Sequence, residues 1–226
     1  NTDKKIFNRK DIRIDLALNC DASNFFDSLE SIDLACNFES WLEVCGNYKK
    51  QVPMVTEDMK KNPINSYYLA DVLSRLTDSR HIFTNDAGSS NYISSQSLVF
   101  NNGQKELTSG AFYTMGLTLP LAIGAAAEEP EKQIIAITGD GSIELNIQEL
   151  QTISLNNLNI KVIVINNGGY ASIRDSQDAM CGGRYTDDEQ ILNFKKIAHA
   201  FNIDFEIIQD VNEIDESVQE LYLYFL

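Results

Sequence analysis

The sequence has little positive charge and almost no histidine, and both shortages limit what the chain can do. Lys and Arg number 18 against 33 Asp and Glu, which gives a formal net charge of −15 over 226 residues. This excess of negative charge argues against a nucleic-acid partner and against binding to anionic membrane surfaces. The two histidines, His81 and His199, stand far apart in patterns that give neither of them a catalytic partner.

Paired cysteines and long apolar runs are also lacking. The four cysteines show no CxxC pair and no regular framework, which favours reduced thiols in the cytoplasm over disulfides or zinc; they are Cys20, Cys36, Cys45 and Cys181. The most apolar run, residues 108–127, is interrupted by Gly, Thr and Pro120 and is followed by Glu128 and Glu129. It therefore predicts a buried helix and not a membrane span.

What is present is a strand, an acidic glycine turn, a helix and a second strand. Residues 134–138 form an apolar, β-rich run that stops at Gly139, so Asp140 is expected just beyond the carboxyl end of a buried strand. Ser142 is expected to open a helix whose apolar face consists of Ile143, Ile147, Leu150 and Ile153.

A second buried strand is predicted at residues 161–165, and it ends at Asn166, Asn167, Gly168 and Gly169. A strand, a helix and a strand within so short a span predict a right-handed crossover between parallel strands. The expected fold class is α/β, a doubly wound parallel sheet with helices on both faces. The acidic turn and the amide pair then reach the same edge of the sheet.

This edge is suited to a magnesium diphosphate. Magnesium prefers six oxygen ligands and takes a few of them from protein. Asp140 can offer a carboxylate oxygen, Asn167 an amide oxygen and Gly169 a backbone carbonyl. Gly139 and Gly141 allow close approach of phosphates, and the N–H groups after Ser142 would face the anion.

A nicotinamide or flavin dinucleotide site is the other doubly wound alternative. It needs a third glycine three residues after Gly141 and an acidic residue at the end of the next strand. Glu144 and the pair Asn166 and Asn167 occupy those places, so this alternative fails here.

Through residues 139–142 and 166–167 the chain resembles thiamine-diphosphate-dependent enzymes of the acetohydroxyacid (acetolactate) synthase, pyruvate oxidase and pyruvate decarboxylase type. Their cofactor signature is Gly-Asp-Gly followed at this distance by Asn-Asn. The resemblance implies thiamine diphosphate and Mg²⁺ as cofactors, with Asp140, Asn167 and the Gly169 carbonyl as metal ligands. A requirement for FAD stays open.

The resemblance also implies a set of cofactor contacts. The Tyr113 carbonyl would accept a hydrogen bond from the 4′-amino group of the cofactor, and Met115 would be the apolar wedge that bends it. Gly88, Ser89 and Ser90 would form a glycine turn that touches the diphosphate. The complete set of expected contacts is Gly88, Ser89, Ser90, Tyr113, Met115, Gly139, Asp140, Gly141, Ser142, Asn167, Gly169, Tyr170 and Ala171.

The resemblance further implies a division of the chain. Residues 1–31 would be the tail of a central α/β domain, with a strand at 12–15 and a helix at 22–29. Residues 32–63 would be a connector, with a helix at 39–48. Residues 64–226 would be the diphosphate-binding domain, with a strand at 203–208, a helix at 215–226 and no final strand.

A pyrimidine-binding domain has no counterpart in this sequence. In the family that domain, normally from a partner subunit, supplies the glutamate that activates the cofactor. No catalytic residue is therefore assigned here, the chain alone is expected to be inactive, and the complete protein is expected to be a homo-oligomer, at least a dimer.

The reaction is inferred from the segment after Asn167. Decarboxylases of the family carry a glutamate where Ile173 stands, whereas acetohydroxyacid synthases have an apolar residue there. The synthases also place a tryptophan where Ser176 stands, and Gln-His where Ser89 and Ser90 stand. The prediction is an acetolactate-synthase-like enzyme that decarboxylates a 2-keto acid and joins it to a carbonyl acceptor.

Two alternatives to this reaction stay open. One is a 2-keto acid decarboxylase or oxidase of the same family, and the other is a noncatalytic α/β assembly module. Arg174 is a candidate for binding an acceptor carboxylate or phosphate, and an ordinary surface arginine is the competing interpretation.

Overall fold

The structure is a computed structural model that describes residues 13–30, 32, 37–185, 192–215 and 217–218. The chain divides into two compact units, Asn1–Pro53 and Met54–Leu226. Residues 54–63, predicted as the end of a connector, thus cluster with the second unit. The division into domains itself stays a prediction.

The described part of the first unit contains two helices, α1 (Ala22–Glu30) and α2 (Glu39–Gln51). Helix α1 begins after Asp21, whose carboxylate accepts a hydrogen bond from the Ser23 N–H at 2.9 Å. Both helices were predicted. The strand predicted at residues 12–15 is wrong for residues 13–15, which are irregular, and Ile12 lies outside the described residues.

The second unit alternates helices and parallel strands. In chain order the elements are α3 (Ser66–Leu76), β1 (His81–Asn85), α4 (Gly88–Ser97), β2 (Lys105–Thr108), α5 (Thr118–Glu128), β3 (Gln133–Gly139), α6 (Asp140–Ile143), α7 (Glu149–Leu155), β4 (Ile160–Ile165), α8 (Ala171–Met180) and α9 (Phe194–Ala200). Short 3₁₀ turns lie at Glu57–Lys60, Gly110–Phe112, Glu144–Asn146 and Val211–Glu213.

The described strands form one sheet in the order β2-β1-β3-β4, and every pair is parallel. Strands β3 and β4 extend the predicted runs by one residue or so, and Gly139 lies opposite Ile165. The parallel pairing predicted from the strand-helix-strand pattern is confirmed.

Both faces of the sheet are covered, because successive side chains of a strand point to opposite sides. Phe83, Ile135 and Ile137 pack against Leu73 of α3 on one face. Ile82, Ile134 and Ala136 pack with Ala122 of α5 on the other. Burying each of the larger side chains contributes about 1.5–3 kcal/mol. The doubly wound α/β class predicted from the sequence is confirmed.

The helix expected from Ser142 begins earlier and is broken. Helix α6 starts at Asp140, a 3₁₀ turn follows at Glu144–Asn146, and α7 starts at Glu149. The predicted apolar face is nevertheless correct: Ile143, Leu150 and Ile153 are buried in one cluster and Ile147 is packed against it.

The carboxyl-terminal part departs from expectation. Residues 203–208 are irregular, so the predicted strand is wrong. Ile203 packs into the cluster beside α9, Ile208 packs into the cluster beside α3, and Ile207 is 60% exposed. These contacts anchor the segment without a strand ladder. The helix predicted at 215–226 lies mostly outside the described residues.

The predicted buried helix within residues 108–127 is α5, which is preceded by an irregular segment and a 3₁₀ turn at Gly110–Phe112. Among the helices of the described ranges, none combines the length and apolarity that crossing a bilayer requires. Cys20, Cys45 and Cys181 are free thiols, and Cys36 lies outside the described residues.

The strand order creates a crevice at one edge. The chain passes from β1 to β2 on one side and then returns to β3 on the other side of β1. In open α/β sheets ligands bind at such a reversal, outside the carboxyl ends of the strands. Strand β1 ends just before Asp86, and β3 ends just before Asp140.

Candidate functional site

Asp140 joins the two halves of the motif predicted from the sequence. Its side chain is buried, with 4% exposed. One carboxylate oxygen, Oδ2, accepts hydrogen bonds from the N–H groups of Gly168 and Gly169, both at 2.8 Å, and Oδ1 accepts one from the Gly141 N–H at 2.8 Å. The acidic turn and the loop after the amide pair are therefore in direct contact.

The loop after β4 requires glycine. Gly168 and Gly169 have φ of 79° and 97°, a region that side chains with a Cβ rarely adopt. This conformation turns both N–H groups toward Asp140. The Gly169 carbonyl accepts a hydrogen bond from the Ala171 N–H at 2.9 Å, which closes a tight turn before α8.

Arg174 braces the same loop from the other side. Its Nη2 donates to the Asn167 carbonyl at 3.1 Å, and its Nη1 donates to the Gly168 carbonyl. Both terminal nitrogens of the guanidinium are thus engaged with backbone. This geometry does not favour the hypothesis that Arg174 receives an acceptor carboxylate or phosphate, and it gives the residue a structural task instead.

Tyr170 packs across the acidic turn. A methyl group added at Gly141 would lie 2.5 Å from Cε1 of the Tyr170 ring. The absence of a side chain at residue 141 therefore lets the tyrosine cover the turn. Asn167, the predicted second metal ligand, is exposed and is the second residue after β4.

Asp86 is a central residue that the sequence reasoning missed. Its side chain is fully buried, with 0% exposed. Oδ2 accepts hydrogen bonds from the Ser142 hydroxyl at 2.7 Å and from the Gly116 N–H at 2.9 Å, and Oδ1 accepts one from the Ala87 N–H at 2.7 Å. An acidic residue directly after a buried strand and before a glycine turn was the available signal.

Ser142 has its hydroxyl engaged inside the protein. The oxygen donates to Asp86 and accepts from the Gly116 N–H at 2.9 Å. Ser142 thus connects the Gly139–Ser142 turn to the segment before α5. This segment carries Tyr113, which is in the left-handed region with φ of 46°, and Met115, which is half-buried.

The glycine turn after β1 lies at the same edge. Gly88 has φ of 62° and opens α4, and the Ser90 hydroxyl, which is buried, donates to the Ala87 carbonyl at 2.8 Å. Ser89 is half-buried. The structure therefore brings all the predicted segments to the carboxyl ends of β1, β3 and β4 or to the loop beside them. The cofactor contacts of the individual residues stay predictions.

Comparison with known proteins decides the family. Residues 86–224 match the family described as thiamine pyrophosphate enzyme, C-terminal TPP binding domain. This match covers more than half of the chain and includes Asp86, Gly116, Asp140 and the loop after β4. The chain belongs to this family. The resemblance predicted from the Gly139–Ser142 turn and the Asn166–Asn167 pair is confirmed, and the family's own cofactor is the one the sequence predicted.

Curated members of the thiamine pyrophosphate enzyme family include several similar acetolactate synthases. The chain is 31% identical over 165 residues to the acetolactate synthase isozyme 1 large subunit of Escherichia coli (strain K12), covering 71% of the chain and 29% of that protein. It is 31% identical over 188 residues to the acetolactate synthase large subunit of Porphyra purpurea, covering 82% of the chain and 31% of that protein.

A third relative is the acetolactate synthase large subunit of Pyropia yezoensis, which is 32% identical over 183 residues, covering 80% of the chain and 30% of that protein. The chain therefore spans about a third of the length of the curated relatives it matches. A property that depends on the rest of such a protein is therefore not assigned to this chain by these matches.

Proposed function

We propose that this chain is the diphosphate-binding part of a thiamine-diphosphate- and Mg²⁺-dependent enzyme that decarboxylates a 2-keto acid and joins the product to a carbonyl acceptor. The contact between Asp140 and the Gly168 and Gly169 amides carries the proposal, because it brings the acidic turn against the loop that follows Asn167.

The donor set fits a magnesium ion. A carboxylate has about four acceptor positions. Oδ1 of Asp140 accepts a hydrogen bond from the Gly141 N–H, and its second acceptor position can bind a metal. The Gly169 carbonyl accepts one hydrogen bond and likewise retains a lone pair. With the Asn167 side-chain oxygen as its third member, the proposed set has three hard oxygen donors, and phosphate and water oxygens would complete such a site.

The residues would share the work of holding the cofactor. Asp140, Asn167 and the Gly169 carbonyl would hold the metal, and Gly88, Ser89, Ser90, Gly139 and Gly141 would lie against the diphosphate. Bound in this way, thiamine diphosphate supplies the carbon nucleophile and electron sink for decarboxylation of a 2-keto acid. Tyr113 and Met115 would orient its rings, and orientation is the main contribution of the protein.

The apolar residue at position 173 favours joining of two carbonyl compounds. Ile173 is 50% exposed and lies in the first turn of α8, directly after the loop braced by Arg174. An isoleucine cannot transfer a proton, so it leaves the reacting carbon unprotonated for attack on an acceptor. The similarity to acetolactate synthases supports the same reaction class.

The activating acid is expected from outside these residues. In the proposal the pyrimidine end of the cofactor is held by a separate domain, normally that of a partner subunit, and the complete protein is a homo-oligomer. We expect the 226-residue chain alone to release no carbon dioxide from pyruvate. Turnover by the isolated chain would contradict this part of the proposal.

The deciding experiment is a calorimetric titration of the chain with thiamine diphosphate in saturating Mg²⁺. We expect binding by the wild type and loss of binding in Asp140→Ala. The matched control is Asp58→Ala, because Asp58 is an exposed carboxylate whose partner is the surface residue Lys61. Equally weak binding by the wild type and Asp140→Ala would favour a noncatalytic module.

The reaction class requires the complete protein. We expect incubation with pyruvate and a panel of aldehydes and 2-keto acids to give joined products. Free aldehyde alone would assign the protein to the decarboxylases, and oxygen-dependent formation of an acid or acyl phosphate would assign it to the oxidases.

A further inference from the structure

Asp86 is a buried carboxylate whose donors come from three separate segments. The Ala87 N–H belongs to the glycine turn after β1, the Gly116 N–H to the turn before α5, and the Ser142 hydroxyl to the acidic turn after β3. Gly116 and Ser142 lie 30 and 56 residues from Asp86 along the chain. One side chain thus bonds to three segments, two of which are distant from it in the sequence.

Burial of the Asp86 carboxylate costs free energy, so its hydrogen bonds must do something that an apolar side chain could not. A carboxylate taken out of water needs donors or a cation to replace its hydration. Asp86 receives donors only, and within the described ranges it takes part in no ion pair. Packing alone would be served at lower cost by an apolar residue, whereas directional bonds from two backbone N–H groups and one hydroxyl require an acceptor.

The hydrogen-bonded contact of Asp86 with Gly116 and Ser142, here called the joint, is tightly packed at Gly116. A methyl group at this residue would lie 2.7 Å from Leu145 Cβ, and the Gly116 carbonyl accepts a hydrogen bond from Asn146 Nδ2 at 2.9 Å. The turn is therefore held from one side by Asp86 and Ser142 and from the other by the 3₁₀ turn after α6. Loss of the Asp86 bonds would leave the turn held by Ser142 and Asn146.

We propose that Asp86 is a positioning residue that sets the distance between the turn carrying Met115 and the turn carrying Asp140. The inference rests on the proposed function, in which the first turn lies under the rings of thiamine diphosphate and the second holds its diphosphate through Mg²⁺. In this proposal Asp86 is not itself a ligand of the cofactor or of the metal. It fixes how far apart the two ends are held.

The test uses Asp86→Ala, Asp86→Asn, Ser142→Ala and the double variant Asp86→Ala/Ser142→Ala. The matched control is Asn91→Ala, because Asn91 is also a buried polar residue near the Gly88 turn but bonds to Asn85 and Thr108. Two quantities are measured: amide hydrogen exchange without cofactor in residues 113–118 and 140–143, and the Kd for thiamine diphosphate in saturating Mg²⁺.

We expect Asp86→Ala to speed exchange in both segments and to raise the Kd about 10- to 100-fold, the range typical of residues that orient a metal site. Asp86→Asn should have a smaller effect, since one amide oxygen can still accept from Gly116 and Ser142. The double variant should bind little worse than Asp86→Ala, because both substitutions break the same joint. Asn91→Ala should lower the melting temperature and leave the Kd unchanged.

Unchanged exchange in both segments in the Asp86 variants would overturn the inference, whatever the cofactor does. So would a Kd equal to that of the wild type, or additive effects in the double variant. If Asp86→Ala does not fold, Asp86→Asn and Ser142→Ala carry the same comparison. If the Asp86 variants exchange faster but the wild type binds no thiamine diphosphate, the proposed function is wrong. The structural part of the inference, that Asp86 holds the two turns together, then still stands.

Discussion

Charged side chains at the two edges of the parallel sheet have different kinds of partner. At the amino edge, charged side chains pair with one another: Arg80 with Asp78 at 2.7 Å, and Lys105 with Glu129 at 2.8 Å. At the carboxyl edge, Asp86 and Asp140 are buried and accept hydrogen bonds from neutral N–H and O–H groups. Across the described residues, neither of these two forms an ion pair with a protein cation.

The difference indicates which edge is prepared for a ligand. At the amino edge, Arg80 and Lys105 are paired with carboxylates, so these ion pairs stabilise the fold and are not prepared for a ligand. Two buried carboxylates that follow neighbouring strands leave the carboxyl edge negative, and such an edge attracts a cation. In the proposed function, Mg²⁺ held by Asp140 would offset this negative charge and favour an anionic diphosphate at the same edge.

Among these substitutions, we expect Gly116→Ala to have the largest effect on the packing and stability of the carboxyl edge. The new methyl would meet Leu145 Cβ at 2.7 Å, and φ of 80° is strained for alanine. Overpacking of this kind costs about 1–3 kcal/mol in the free energy of unfolding. Urea denaturation measures this change, and the titration above measures the accompanying loss of cofactor binding.

Gly124→Ala is the control for this substitution. Gly124 lies in α5, and a methyl group there would have no heavy atom within 4 Å. Alanine is preferred over glycine in a helix by about 0.5–1 kcal/mol, so we expect a gain in stability. Equal losses at both positions would contradict the picture of a tightly packed joint at Gly116.

An intermediate effect is expected from Arg174→Met, which keeps an unbranched apolar stem and removes the guanidinium donors. The carbonyls of Asn167 and Gly168 then lose their brace, and the loop that carries two proposed metal ligands loosens. We expect the Mg²⁺ affinity, measured with thiamine diphosphate present, to fall about tenfold.

Arg184→Met serves for comparison, since Arg184 bonds to Asp178 instead of the loop. It should leave the Mg²⁺ affinity unchanged. An Arg174→Met protein with the wild-type affinity would show that the loop holds its shape without the guanidinium.

The smallest effect concerns pH and the amino edge. Burial lowers the pKa of His81, and this outweighs the opposite effect of the neighbouring Asp78. The folded state therefore binds fewer protons at His81 than the unfolded state. Stability present above the ordinary histidine pKa of about 6.5 is lost as the pH falls below it toward the lowered folded pKa.

His81→Gln should flatten this pH dependence of the melting temperature as the pH falls below about 6.5. Cofactor affinity should not change in the variant, because His81 begins β1 at the opposite edge. Below about pH 4 a further loss is expected in both proteins, since Arg80 holds the pKa of Asp78 below its usual range. A His81→Gln protein with the original slope would contradict the assignment.

Much of the fold could be predicted because its signals are local. The runs that became β3 and β4 are apolar and β-branched and stop at glycine or asparagine, which indicates both the strands and where they end. The same reasoning was wrong at residues 203–208. Their apolar residues pack against helices and sheet without forming a strand, and a strand needs a hydrogen-bonding partner that no local pattern reveals.

The candidate site divides in the same manner. The motif and the meeting of its two halves at one edge of the sheet could be predicted, because spacing and apolar runs are properties of short segments. The bonds of Asp86 to Gly116 and Ser142, and those of Arg174 to the loop carbonyls, became visible only in the folded structure. Such choices depend on which distant groups remain unpaired once the sheet has formed, and hydrogen-bond partners of this kind exist only in the folded chain.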